Sequence, residues 1–143
     1  MESHIKRIDK EVPLPEYKTT GAAGFDLSAR IEVIIVAKSV GYIPLNVTIK
    51  PPEGHFTLLV PRSSLHKLGL IPVNGVGIVD ADYCGDEDEY KAALYNFSES
   101  DVTITKGERI MQGVFTPLTR AQFIEVNEMG EPSRGGFGST GQV

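Results

Sequence analysis

The sequence has no tryptophan, a single cysteine and three histidines in 143 residues. One cysteine, Cys84, can form no internal disulfide, which fits a reducing compartment. The N-x-S/T sequons at Asn46 and Asn96 are expected to stay unmodified there. His4, His55 and His66 are too scattered to form a zinc site, and one cysteine cannot complete it. No apolar run approaches the roughly 18 residues that span a bilayer, so a soluble protein with no membrane partner is expected. The first residues, M-E-S-H-I-K-R, contain no apolar segment of the secretory type. An intracellular location follows as an expectation, cytoplasmic or nuclear, and in a host cell if the gene is viral. Basic residues are also few: 14 Lys and Arg against 19 Asp and Glu give a formal net charge of -5. That balance argues against general nucleic-acid binding, which needs clustered cations on the phosphates. Neither G-x-x-x-x-G-K-[ST] nor G-x-S-x-G occurs, which excludes a P-loop enzyme and a nucleophile-elbow hydrolase.

Short β-like runs separated by turn signals are what remains. They are Ile5–Ile8, Phe25–Val36, Gly41–Ile49, Phe56–Val60, Ile71–Val79, Lys91–Phe97, Val102–Ile104, Ile110–Thr116 and Gln122–Val126. P-P-E-G at Pro51, N-G at Asn74, S-E-S-D at Ser98 and K-G-E at Lys106 punctuate them. Only Ser63–Leu68 reads as helical. This pattern predicts an all-β, jelly-roll-like barrel or sandwich with one short helix. A single β domain is expected over residues 1–132. From Ser133 the chain reads S-R-G-G-F-G-S-T-G-Q-V, whose four glycines predict a flexible tail over 133–143.

Five stretches carry chemistry, and the central one is G-V-G-I-V-D-A-D-Y-C-G at Gly75–Gly85. Its small and apolar alternation predicts a β-hairpin arm that turns at Gly85. Asp80 lies among Ile78, Val79 and Ala81, where a carboxylate is either a structural cost or a positioned base. Tyr83 adds an aromatic surface three residues on. In A-A-G-F-D-L at Ala22–Leu27, Gly24 permits a close approach and Asp26 opens a strand. In P-R-S-S at Pro61–Ser64, a guanidinium, two hydroxyls and the start of a short helix suit an anion; capping alone is the plainer reading of the serines. In G-E-R-I-M-Q at Gly107–Gln112, the Gln112 amide can donate to an oxygen ligand. In the tail, Arg134, Phe137, Gly138, Ser139 and Thr140 have the make-up of a flap over a phosphorylated ligand. Each stretch alone admits a bland reading as turn, cap, surface strand or loose end.

Taken in this order, the five stretches resemble the motifs of the trimeric dUTPase family from about Leu14 to Gly141. The resemblance implies a jelly-roll homotrimer with active sites shared between subunits. It implies Mg²⁺-dependent hydrolysis of dUTP to dUMP and pyrophosphate, which keeps uracil out of DNA and supplies dUMP for thymidylate synthesis. By position, Asp80 resembles the general base for water attack on the α-phosphate, and Tyr83 the floor of the deoxyribose site. Asn74 and the arm backbone at Gly77 resemble the uracil reader. Arg62, Ser63, Ser64 and Gln112 resemble phosphate ligands, and Asp26 resembles the carboxylate that supports the metal through water. Arg134, Phe137, Gly138, Ser139 and Thr140 resemble the closing tail, with Phe137 stacked over the base.

Two features depart from the family pattern. Arg134 stands three residues before Phe137, where the family has five. The run Asp86–Glu89 lengthens the arm and reads as a solvated acidic tip. A dCTP deaminase shares the expected fold, but D-A-D-Y at Asp80–Tyr83 favours hydrolysis. A nucleotide sensor without turnover is the other alternative, and it is disfavoured by an intact Asp80.

Overall fold

In the computed structural model, residues 1–141 are described, and the strands form where apolar residues alternate. In chain order they are β1 (His4–Arg7), β2 (Phe25–Ser28), β3 (Val33–Ile35), β4 (Val40–Pro44), β5 (Val47–Lys50) and β6 (His55–Pro61). There follow β7 (Leu70–Pro72), β8 (Gly77–Val79), β9 (Lys91–Asn96), β10 (Val102–Ile104) and β11 (Arg109–Pro117). One 3₁₀ turn, Leu65–Leu68, is the only helical element among the described residues. All pairings are antiparallel. A four-stranded sheet runs β2-β11-β6-β8 and a three-stranded sheet β4-β9-β7, with two-stranded ladders β1-β5 and β3-β10. The expected all-β jelly-roll class is what forms.

Period-two alternation aims the core. Strand β2 buries Phe25 and Leu27 and turns Asp26 and Ser28 outward. Strand β9 buries Ala92, Leu94 and Asn96 and turns Lys91, Ala93 and Tyr95 outward. Leu27, Ile43, Leu70, Leu94 and Ile104 meet in one fully buried cluster, each contributing about 1.5–3 kcal/mol by leaving water. Gly113 sits where a Cβ would come within 2.4 Å of the Phe25 ring, so β11 approaches β2 there only as glycine.

Three long runs break where a chain must change partner. Phe25–Val36 divides into β2, paired with β11, and β3, paired with β10. Gly41–Ile49 divides at Asn46, whose φ of 69° lies in the left-handed region that ends a strand. Its buried side chain bonds both the N–H and the carbonyl of Asp9. Ile71–Val79 divides at the Asn74–Gly75 turn into strands on different sheets. Gln122–Val126 forms no strand, and Phe123 and Ile124 are exposed.

The arm over Gly75–Gly85 is not a hairpin. Strand β8 pairs only with β6, while β9 pairs with β4 and β7, so the arm crosses from one sheet to the other. Leu118 N–H donates to the Gly54 carbonyl, and beyond it the hydrogen bonds of the described residues are local. The last two positions of the Gly-rich tail lie outside the described residues. Asn46 and Asn96, the sequon residues, are buried and hydrogen-bonded. Among the described residues, no helix is long and apolar enough to cross a membrane.

Candidate active site

Two groups of polar residues stand at different ends of the four-stranded sheet. At one end Asp26, turned outward by β2, is only 14% exposed at its side chain. Its Oδ1 accepts from Arg62 Nε at 3.2 Å and its Oδ2 from Arg109 Nη1 at 2.9 Å. Arg62 Nη1 donates to the Arg109 carbonyl at 3.1 Å. One carboxylate thus holds two guanidinium groups, and the cluster keeps a net positive charge with forks fixed in direction. That is the electrostatics a phosphate needs. Gln112, opposite Asp26 in the ladder, donates from Nε2 to the Pro61 carbonyl. A Cβ on Gly24 would lie 2.5 Å from Gln112 Oε1, so the close approach expected at Gly24 makes room for this amide.

Sequence reasoning did not assign Arg109 a role. On a regular strand, residues 109 and 112 point to opposite faces. The register of β11 slips between Arg109 and Met111, and this bulge buries Ile110 and Met111 in succession while Arg109 and Gln112 both stay outside. The sequence signal was present only as an arginine three residues before the glutamine.

Ser63 and Ser64 follow β6 and are exposed. Ser64 precedes the 3₁₀ turn, yet its hydroxyl makes no capping bond. Capping therefore does not explain it. The turn holds four residues, too few for the helix-end field expected of this stretch to contribute much.

At the other end, Asp80 follows β8 in a turn closed by Tyr83 N–H donating to the Asp80 carbonyl at 3.1 Å. The expectation of a strand carboxylate sheltered by apolar neighbours does not hold, because Asp80 is exposed just past the strand end. Asp80 and Tyr83 share a cavity of about 280 Å³ with Leu59, Ile78, Glu89 and Tyr90. The Tyr83 ring lies 6.5 Å from that of Tyr90, whose buried hydroxyl donates to Thr57 Oγ1 at 3.1 Å. Burial raises the Tyr90 phenol above its ordinary value. Gly77 is buried opposite Leu59, and a Cβ there would lie 3.0 Å from Leu59 Cβ. Asn74 is exposed in the turn before it.

The acidic run is solvated at Asp86 and Glu87, as expected, but not at its end. Glu89 is 11% exposed and accepts both Nε and Nη2 of Arg30, at 2.7 and 3.1 Å. This partner raises the Arg30 pKa above its ordinary value. Asp86 pairs with Lys6, and Asp88 accepts the Gly85 N–H. An arm that crosses between sheets needs such anchors, and composition does not reveal them.

The chain unites Asp26, Arg62 and Gln112 in one group and Asp80 and Tyr83 in another, and it keeps the groups apart. The ladder sets Val79 against Thr57, while Arg62 follows Pro61 at the far end of β6. Six strand positions separate the Asp80 and Arg62 levels, roughly 20 Å at the usual rise. The tail joins neither group. Phe137 is fully exposed with a φ of 51°, and Ser139 N–H closes a local turn on the Gly136 carbonyl. Arg134, Gly138 and Thr140 are exposed with it.

A jelly roll that carries two arginines on one carboxylate at one end and a carboxylate–tyrosine cavity at the other has the charge and shape that suit a phosphorylated ligand, and comparison with known proteins gives its family. The family model described as dUTPase matches residues 10–141. The deoxyuridine 5'-triphosphate nucleotidohydrolase of Hydrogenobaculum sp. is 37% identical over 96% of both chains. That of Helicobacter pylori (strain Shi470) is 38% identical over 99% of this chain and 97% of its own. The crystal structure of dUTPase from Streptococcus mutans superposes with a TM-score of 0.77 at 32% identity, covering 83% of this chain and 98% of that one. For fold alone, the Staphylococcus bacteriophage 80alpha dUTPase with dUPNHPP gives a TM-score of 0.87 at 24% identity over 99% of both chains. The chain belongs to the dUTPase family.

Proposed function

We propose that this chain hydrolyses dUTP to dUMP and pyrophosphate, as a homotrimer whose sites combine residues of different subunits. The observation that carries the reading is the pairing of a preset cationic cluster with an exposed carboxylate beside a tyrosine, within a chain of this family. Arg62, Ser63, Ser64 and Gln112 bind the triphosphate, and Arg109 joins them. Asp80 takes a proton from the water that attacks the α-phosphate; its exposure in the turn leaves both oxygens open to that water. Tyr83 lies under the deoxyribose and leaves no room for a 2′-hydroxyl. Asn74 and the backbone at Gly77 read the uracil edge, where a wrong base leaves buried groups unpaired. The tail over 133–143 closes the site through Arg134, Phe137, Gly138, Ser139 and Thr140.

Magnesium is tested by the donors present. Among the described residues, no three of His, Cys, Asp and Glu converge to cage a metal. Asp26 already accepts from two arginines, and each of its oxygens keeps a lone pair. Such a site fits an ion held by triphosphate and water, with Asp26 reaching only the water. Bound there, the ion supplies charge neutralisation that lets an anionic base approach an anionic phosphate.

Two features support the shared site. The two groups are roughly 20 Å apart along β6, so one chain cannot apply both to one triphosphate. Val40, Tyr42, Ile71 and Ile78 leave apolar surface exposed on the strands, as do Phe123 and Ile124 beyond them, and such surface calls for cover by another chain.

One assay tests the activity. The protein with magnesium is offered dUTP, dCTP, dTTP and UTP in turn, with pyrophosphate and ammonia measured. Pyrophosphate from dUTP alone is expected. Ammonia from dCTP, or tight dUTP binding without turnover, would overturn the reading.

A further inference from the structure

Tyr83 is seated between two supports. One is the Tyr90 ring at 6.5 Å, itself fixed by burial and by Thr57. The other is the Glu89 carbonyl, which accepts from the Tyr83 hydroxyl at a long 3.4 Å. That carbonyl stands on a residue whose side chain is held three times: by Arg30 Nε at 2.7 Å, by Arg30 Nη2 at 3.1 Å, and by the Asn46 N–H at 2.9 Å. A bidentate pair defines direction as well as distance. Asn46 in turn sits in the left-handed break between β4 and β5, so the anchor is built into the body of the fold. The linkage runs from β2's end, through Arg30 and Glu89, to the ring of Tyr83.

We infer that Glu89 and Arg30 are positioning residues for Tyr83, and that the choice of deoxyribose over ribose depends on their ion pair. The inference rests on the proposed role of Tyr83 as the sugar floor. Arg30 is not among the residues lining the Asp80–Tyr83 cavity, and the pair acts by holding the Glu89 backbone where the hydroxyl of Tyr83 meets it. A surface ion pair would be worth little. This one is bidentate and shielded on the Glu89 side, and Glu89 lines the Asp80–Tyr83 cavity.

The test compares kcat/KM for dUTP and for UTP in the full chain and four variants. Arg30→Lys and Glu89→Gln keep size and should keep the fold while loosening the bidentate geometry. Tyr83→Ala removes the floor. Lys6→Ala removes the exposed tether to Asp86 on the same arm and serves as the control. Arg30→Lys and Glu89→Gln are expected to narrow the dUTP-to-UTP ratio about three- to tenfold, the worth of one hydrogen bond on the ring. Lys6→Ala is expected to leave the ratio unchanged. A purely structural role would lower both substrates equally through loss of folded protein, and would leave the ratio alone. If Tyr83→Ala narrows the ratio while Arg30→Lys and Glu89→Gln do not, the positioning inference is overturned and the sugar floor stands. If Tyr83→Ala itself leaves the ratio unchanged, the sugar-floor reading fails and takes the inference with it. Fluorotyrosine NMR adds a readout free of turnover: the Tyr83 resonance, assigned by Tyr83→Phe, should shift or broaden in Glu89→Gln and not in Lys6→Ala.

Discussion

Asp80 and Arg62 stand at opposite ends of one ladder, because β8 runs antiparallel to β6 and delivers Asp80 past Thr57 while Arg62 lies past Pro61. Antiparallel pairing thus separates two residues that the proposed hydrolysis would have to bring to a single triphosphate. The proposed cyclic oligomer would resolve this, since the Asp80 end of one subunit could face the cationic end of the next.

Subunit complementation tests that geometry. Asp80→Asn should keep dUTP binding while kcat falls on the order of 10²- to 10⁴-fold, and Arg62→Ala should be inactive through lost phosphate binding. Co-refolding the two in equal amounts gives mixed trimers about three quarters of the time. Each mixed trimer has one site in three with both a good base and a good cationic cluster, so about a quarter of wild-type activity should return. Activity no higher than that of the separate variants, with mixing verified, would refute the shared site.

The bulge in β11 brings Arg109 beside Asp26, and the proposed function gives it a share in phosphate binding. Removing a charge-assisted bond of this kind costs about 1.5–3 kcal/mol, so Arg109→Ala should raise KM for dUTP at least tenfold. Arg109→Lys should restore only part, because an ammonium cannot bond Asp26 and present further fixed N–H donors to a phosphate at once. Unchanged KM in Arg109→Ala would remove it from the site.

Truncation before Ser133 should abolish most turnover and leave Tm unchanged. Beyond Leu118 the hydrogen bonds of the described residues are local, and Phe137 touches no core residue at full exposure. Closing the tail orders it at about 1–2 kcal/mol per residue of backbone entropy, a cost that only contacts with bound nucleotide can offset. A lowered Tm in the truncated protein would show that the segment supports the fold instead.

Tyr90 links stability to alkaline pH. Burial raises its pKa above the ordinary value, so its contribution is complete below about pH 10 and is lost as pH rises through the folded-state value. Tyr90→Phe loses the bond to Thr57, at about 0.5–1.5 kcal/mol near neutral pH, and also removes the group that must ionise. Plots of Tm against pH for the two proteins should therefore converge above pH 10. Parallel curves would refute burial as the source.

The sequence by itself determined the strands, their inward faces and the chemical stretches, because these are local. Alternation in β2 and β9 is written residue by residue, and so is the Asn74–Gly75 turn. Gly24 announced a close approach and Asp26 the start of a strand, and both are found. Tertiary structure decided which strands share a sheet, since pairing depends on partners distant in the chain. It split Phe25–Val36 and Gly41–Ile49 between ladders, made the supposed hairpin a crossing between sheets, and left Gln122–Val126 unpaired within one chain. It also decided the site. Arg109 faces Asp26 only because β11 slips by one position, and Glu89 leaves solvent only because Arg30, 59 residues away in sequence, arrives beside it. Alternation along a strand depends on neighbouring residues, but a bulge or a buried ion pair depends on what lies across the sheet.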